Sequence, residues 1–300
     1  MSIMHSIFYK IIEKGKAPFD PLNPPDFKKK REVEEEQAHL MPVPKGVEYE
    51  IKEMNDVPVE YVSYPSNPQD QIIFYIHGGG FASGSSTQRR NFTGYVAKKL
   101  RYNVLSVDYC LAPENPFPKG LEECLVVYKE TLKKYDSHKI VFFGESAGGN
   151  LVLALALMAK DQGLPLPAGI VAASPTVQYS KELPSYKSNA DTDCMISNIV
   201  DRIKAVYFQT EDKEVLENPY GSPLFGDFHG FPPIFINVSE SEVLRDDSYL
   251  LKKKLDEQGV KTRILSRNKM MHAYLIQAMV PEAKCDLKEV KKFIKEVVGK

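Results

Sequence analysis

The chain has few cysteines, no charge excess and no long apolar run, and each shortage excludes a class of protein. Its four cysteines, at 110, 124, 194 and 285, form no C-x-x-C pair and fall at no zinc-ligand spacing. They are expected to be free, buried thiols in a reducing compartment, which would make the protein cytoplasmic. A net charge of −1 leaves no basic surplus to neutralise a phosphate backbone, so nucleic acid is not an expected partner. The N-terminal stretch MSIMHSIFYKIIEKGK is broken by His5, Ser6, Tyr9 and Lys10. It is too short and too polar for a stable membrane span, and no small-residue cleavage site follows. Its Ile3, Ile7, Phe8, Ile11 and Ile12 recur at helical spacing. They predict a helix packed on the globule, with peripheral membrane contact as the alternative. No internal repeat and no low-complexity tract is found.

What is present is ordinary globular material: 43% apolar and 26% charged residues in a chain of 300, enough for one large α/β domain. Residues 1–45 read as a separate layer: a short helix, the Pro-rich stretch APFDPLNPPDF, and the charge run KKKREVEEEQ. The charge run reads as a solvated helix face with Lys and Glu in i,i+4 reach. Residues 47–54 and 57–64 predict a hairpin across Asn55-Asp56. Short apolar runs follow at 72–76, 104–107, 140–143, 169–173, 234–238 and 262–265, of the kind that forms buried parallel strands. Helical patterns at 88–101, 119–135, 149–162, 247–258 and 286–298 separate most of them. Gly259 falls where a left-handed residue closes the fourth of these helices. The alternation predicts an α/β fold, a mostly parallel sheet with helices on both faces. Residues 176–232 break it, with several prolines and no clear strand, and read as an insertion.

Four segments carry chemistry. Gly144-Glu145-Ser146-Ala147-Gly148 is G-x-S-x-G between a predicted strand and a predicted helix, the context that motif requires. Small residues on both sides permit a sharp turn that lifts the Ser146 hydroxyl above the sheet. The following helix points its N-terminus at developing negative charge. His77-Gly78-Gly79-Gly80-Phe81 follows another predicted strand and exposes backbone N–H groups. Gly78, Gly79 and Ala147 are the expected donors to the oxyanion of an acyl-transfer intermediate. Losing one such donor costs about 3–4 kcal/mol in the transition state. A phosphate loop is disfavoured because no G-K-[ST] follows.

Of six histidines (5, 39, 77, 138, 229 and 272), His272 follows the last predicted strand. It therefore belongs at the carboxyl ends of the strands, where open α/β sheets bind ligands, and is the expected general base. His77 belongs to the glycine loop and is expected to brace it. The acid that orients the base should follow the strand at 234–238, where SESEVLRDD offers Glu240, Glu242, Asp246 and Asp247. Physics alone does not choose among them.

Together these segments resemble the hormone-sensitive-lipase-like esterases of the α/β-hydrolase fold, over about Phe74 to Tyr274. HGGGF resembles their oxyanion motif and GESAGGN their nucleophile elbow. DYCLAPENPFP at 108–118 is similar to their DYRLAPExPFP signature, with Cys110 in place of the usual Arg. NPYGSPL at 218–224, FPP at 231–233 and His272-Ala273-Tyr274 also match. Glu242-Val243-Leu244-Arg245-Asp246 stands in the register of the usual D-P-L-R-D. The resemblance thus implies Glu242 as the acid, with Glu240 second.

The resemblance further implies a cap made of residues 1–45 and about 180–215, over a catalytic domain of 46–300. Phe8, Phe19, Tyr186, Met195, Ile196, Tyr207 and Phe208 are its candidates for lining a pocket or for packing. The expected activity is hydrolysis of small-molecule esters of short to medium acyl length through an acyl-enzyme, with Ser146, His272 and Glu242 acting together. Glu145 is expected to buttress the elbow. No metal or organic cofactor is required, and a homodimer is allowed. The alternatives are an amide or N-acetyl deacetylase and a non-catalytic small-molecule receptor. Receptors on this fold characteristically lose the base, which this sequence keeps.

Overall fold

The structure is a computed structural model that describes residues 2–13, 19–194 and 198–299. Eight strands among these form one sheet: β1 (Glu48–Met54), β2 (Val57–Ser63), β3 (Ile72–Ile76), β4 (Asn103–Val107), β5 (Ile140–Glu145), β6 (Gly169–Ala173), β7 (Ile234–Ser239) and β8 (Thr262–Arg267). Their order is β1-β2-β4-β3-β5-β6-β7-β8. β1 and β2 pair antiparallel, as do β2 and β4, and every later pairing is parallel. The β1–β2 hairpin turns on Asn55 (φ 49°) and Asp56 (φ 66°), two residue types that tolerate the left-handed region a two-residue turn needs.

β3 to β7 are buried along their whole length, which is why their sequences are continuously apolar. Side chains alternate between two cores. Phe74 and Phe142 belong to one, with Leu153 and Leu251; Tyr75 and Phe143 belong to the other, with Phe92 and Phe293.

The helices are α1 (Ile3–Glu13), α2 (Phe27–His39), α3 (Ser86–Tyr95), α4 (Lys119–Leu132), α5 (Ala147–Asp161), α6 (Pro184–Ser188), α7 (Ile199–Ile203), α8 (Lys213–Leu216), α9 (Arg245–Glu257) and α10 (Pro281–Val298). α5 is buried from Ala147 to Ala159, as a helix apolar all round must be. The pattern at 88–101 resolves into α3 and a π-helical turn, Val96–Leu100, closed by Arg101 in the left-handed region. α10 starts at Pro281 rather than 286, because proline fits the first turn, where no N–H is needed. Gly259 has φ +74°, as its position after α9 requires.

The N-terminal layer packs on the globule through residues other than its exposed apolar ones. In α1, Ile3 and Ile7 are exposed, and the described contacts to the body run through His5 and Tyr9, the latter packed against the apolar cluster of Met270, Met271 and Tyr274. Buried His5 accepts from the N–H of Met271 at 3.0 Å, and Tyr9 donates to the Thr192 carbonyl at 2.9 Å. The side chains of Phe8, Ile11 and Ile12 lie outside the description. The charge run in α2 is solvated on one face, where Lys28, Lys29, Glu32 and Glu36 are exposed, and its other face turns to the body. Lys30, Glu34, Gln37 and Ala38 form one stripe that lines a cavity beside Ser146. Arg31 reaches the carbonyls of Ala82 and Ala112, and Glu35 accepts from Ser85.

Candidate active site

β5 delivers the chain into the elbow and α5 carries it away. Between them Ser146 has φ 56° and ψ −119°, a strained backbone that persists only when its surroundings enforce it. Two enforcers are visible. The Ser146 N–H donates to the Ala173 carbonyl at 2.9 Å. Gly144 and Gly148 allow the close approach: a Cβ on Gly148 would lie 2.0 Å from the Ile76 carbonyl, and one on Gly144 2.2 Å from the Gly148 carbonyl. Ser146 is half-buried and opens onto a cavity of about 460 Å³, which His272, Gly79 and Gly80 also line. α2 and α7 supply its outer walls.

His272 follows β8 and its loop is held on both sides. The N–H of Met271 is bonded to His5, and the N–H of Ala273 donates to Ser174 Oγ at 3.1 Å. His272 Nδ1 lies 2.9 Å from Glu242 Oε2. Its Nε2 is buried and has no hydrogen-bond partner among the described residues, so Ser146 and His272 share the cavity without a hydrogen bond between them. A buried nitrogen left without a partner at a cavity wall is the arrangement expected of an atom that serves a ligand or a moving proton. Burial opposes protonation of this imidazole, but the hydrogen bond and charge of Glu242 outweigh it and raise its pKa above the ordinary value.

The four candidate acids point in different directions. Glu240 accepts from the Tyr249 hydroxyl, Asp246 from the Ser185 N–H, and Asp247 from the Val177 N–H and the Tyr186 hydroxyl. Of these four, Glu242 is the one that meets His272, and its second oxygen accepts from the Ser239 N–H at 3.2 Å. Asn189, in the insertion, donates to the carbonyls of both Glu240 and Glu242 and fixes the loop between them.

The glycine loop departs from expectation. The Gly78 N–H donates to Glu145 Oε1 at 2.8 Å, so it is not available to an oxyanion. Glu145 is a buried carboxylate that gathers donors: Arg89 Nε reaches the same oxygen at 2.8 Å and the Tyr75 hydroxyl the other at 2.6 Å. The N–H groups of Gly79 and Gly80 bond to no described residue, and that of Ala147 begins α5, where no intrahelical acceptor exists. Gly79, at φ +133°, cannot be replaced: a Cβ there would lie 2.0 Å from the Ser83 carbonyl. His77 braces the loop. Its Nδ1 meets the Gly78 carbonyl at 2.9 Å, its ring stacks on Tyr109, and burial with nearby Arg89 pushes its pKa down to about 3, so it stays neutral.

Among the proposed pocket residues, Tyr207 and Phe208 are core. Tyr207 stacks on Phe81 at 3.8 Å between centroids, and Phe208 packs on Phe117 and Tyr179. Tyr186 is tied to Asp247, and Phe19 lies at a separate cleft. Met195 and Ile196 fall outside the described residues. Arg89, Ser174 and Asn189 escape sequence reasoning because they lie in no motif. The Gly80 amide, unclaimed by any described residue, was discoverable: it stands in the same glycine triplet, and the acidic residue at 145 was a ready competitor for one of the triplet's amides.

A family described as alpha/beta hydrolase fold matches residues 73–276. An esterase of Acinetobacter venetianus is 33% identical over 225 residues, 74% of each chain. Among solved structures, an esterase/lipase from an uncultured bacterium superposes with a TM-score of 0.91 at 30% identity over 100% of both chains. An esterase of the bacterial hormone-sensitive lipase family superposes with a TM-score of 0.90 at 28% identity over 99% of each. With the sheet order and the elbow geometry already in view, these matches establish that the chain belongs to the α/β-hydrolase fold family, in its hormone-sensitive-lipase-like esterase group.

Proposed function

We propose that this carboxylic ester hydrolase is a serine esterase that cleaves short-to-medium acyl esters through an acyl-enzyme. The observation that carries the reading is the His272 ring, held by Glu242 on one side and left with a bare Nε2 at the wall of the Ser146 cavity. Ser146 attacks the ester carbonyl while His272 Nε2 takes its proton. Glu242 keeps the other ring proton on Nδ1 and stabilises the imidazolium. The N–H groups of Gly79, Gly80 and Ala147 receive the oxyanion, and the Gly78 amide instead ties the loop to Glu145. His272 then protonates the leaving alcohol, and water repeats the sequence on the acyl-enzyme. A cavity of about 460 Å³ suits a small ester better than a long lipid chain. Residues 1–45 and the insertion act as a cap, since α2 and α7 wall the cavity.

Turnover of p-nitrophenyl butyrate by wild type and Ser146→Ala tests the proposal, with the matching anilide alongside. The variant is expected to lose activity by roughly 10⁴-fold or more. Equal rates would refute the nucleophile, and faster anilide cleavage would favour an amidase.

A further inference from the structure

The cavity beside Ser146 holds three cationic side chains, and two of them are neutralised locally. Arg89 pairs with Glu145 at 2.8 Å, and Lys30 with Glu34 at 3.6 Å. The side chain of the third, Arg202 on α7, makes no hydrogen bond and no ion pair among the described residues, and its Nε is buried without a partner. The guanidinium lies flat against the glycine loop. A Cβ on Gly80 would sit 3.4 Å from its Nη2, 3.5 Å from its Cζ and 3.7 Å from its Nε. Its surroundings do not compensate it: burial, only partly offset by the charge of Glu34, lowers its pKa from the ordinary value. Even so, an arginine stays protonated at any pH at which the protein is folded.

An unpaired, partly desolvated guanidinium is costly to keep unless something binds it. The atoms it offers are a planar fork of donors, and the partner that matches a fork is a carboxylate. Its place beside Gly80 puts that fork next to the proposed oxyanion donors, so the charge it reads belongs to the same molecule as the scissile ester.

Building on the serine-esterase reading, we propose that Arg202 is a specificity residue that binds a carboxylate carried by the ester substrate. The natural substrates are then anionic esters, either half-esters of dicarboxylic acids or esters of hydroxy acids, rather than neutral alkyl esters. The polar lining contributed by Gln37, Gln88 and Gln277 suits such a substrate better than a purely aliphatic one.

Two matched pairs test this. p-Nitrophenyl hydrogen adipate against p-nitrophenyl hexanoate places the carboxylate on the acyl side. Butyryl glycolate against ethyl butyrate, followed by pH-stat, places it on the alcohol side. Wild type is expected to favour the charged member of one pair in kcat/KM, and that pair identifies the side. Arg202→Met is expected to lower kcat/KM for that charged ester by about 10- to 100-fold, the worth of a charge-assisted hydrogen bond. The neutral partner should fall far less, and Arg202→Lys should retain part of the preference. A wild type that favours the neutral member of both pairs would overturn the proposal. So would an Arg202→Met variant whose charged-to-neutral ratio is unchanged. Calorimetric binding of adipate needs Arg202 but no turnover. If no ester is hydrolysed yet adipate binds wild type and not Arg202→Met, the serine-esterase reading falls and the carboxylate site stands. If adipate does not bind wild type, the site falls.

Discussion

The imidazole of His272 is subject to two opposed influences, burial and Glu242, and Glu242 prevails. The base form is the neutral ring, so a raised pKa moves the acid limb of the kcat/KM profile upward in pH, above the ordinary histidine value of 6.5. Glu242→Gln removes the attraction and leaves the burial. Its acid limb is expected at lower pH than that of wild type, with kcat reduced by as much as about 10⁴-fold. An unmoved acid limb would show that Glu242 does not govern the base. Ser146 and His272 were legible because a motif and a position after the last strand isolate them. Glu242 was not legible from physics, because four carboxylates lie within eight residues. What separates them is direction, and direction comes from partners far away in sequence: Tyr249, Ser185, Val177 and Tyr186 claim the other three. The capture of the Gly78 amide was hidden for a related reason. Three glycines in a row look equivalent until one amide is captured by a carboxylate that only folding brings near.

At the scale of elements, α1 has a role its apolar pattern hid. Its His5 accepts from the amide immediately before His272, which leaves the proton on Nδ1; burial lowers the His5 pKa and so preserves the accepting form. His5→Ala strands a buried amide at a cost of about 1–3 kcal/mol and frees the loop that carries the base. The variant is expected to lose roughly 10-fold or more in kcat, since small displacements of catalytic groups are costly. His5→Gln retains an acceptor and is expected to recover much of the rate. Equal activity of all three proteins would mean that α1 does not position the site. The strands were legible to within a residue or two because buried parallel strands are written as unbroken apolar runs. Only the solvated face of α2 was legible, because nothing local reveals that the stripe at 30, 34, 37 and 38 faces a cavity.

Across the whole molecule, the sheet gathers the loops after β3, β5, β7 and β8 on one side, which brings residues near positions 79, 146, 242 and 272 to one cavity and its rim. No disulfide locks this arrangement. Cys124 is fully buried and its thiol is held protonated by that burial, while Cys285 is exposed. Burial and Glu123 push the Cys110 thiol up to about 12. Iodoacetamide at pH 8 is therefore expected to modify Cys285 in the native protein, and to reach Cys124 only at the rate of global unfolding. Equal labelling of the two would contradict the packing of α4 against the sheet. The central claim is that Ser146 is made nucleophilic by His272, and an organophosphate reads it directly. After incubation with diethyl p-nitrophenyl phosphate, peptide mass spectrometry is expected to find one diethylphosphoryl group on Ser146, absent in Ser146→Ala and formed far more slowly in His272→Ala. An unmodified Ser146, or labelling that His272→Ala leaves just as fast, would contradict it.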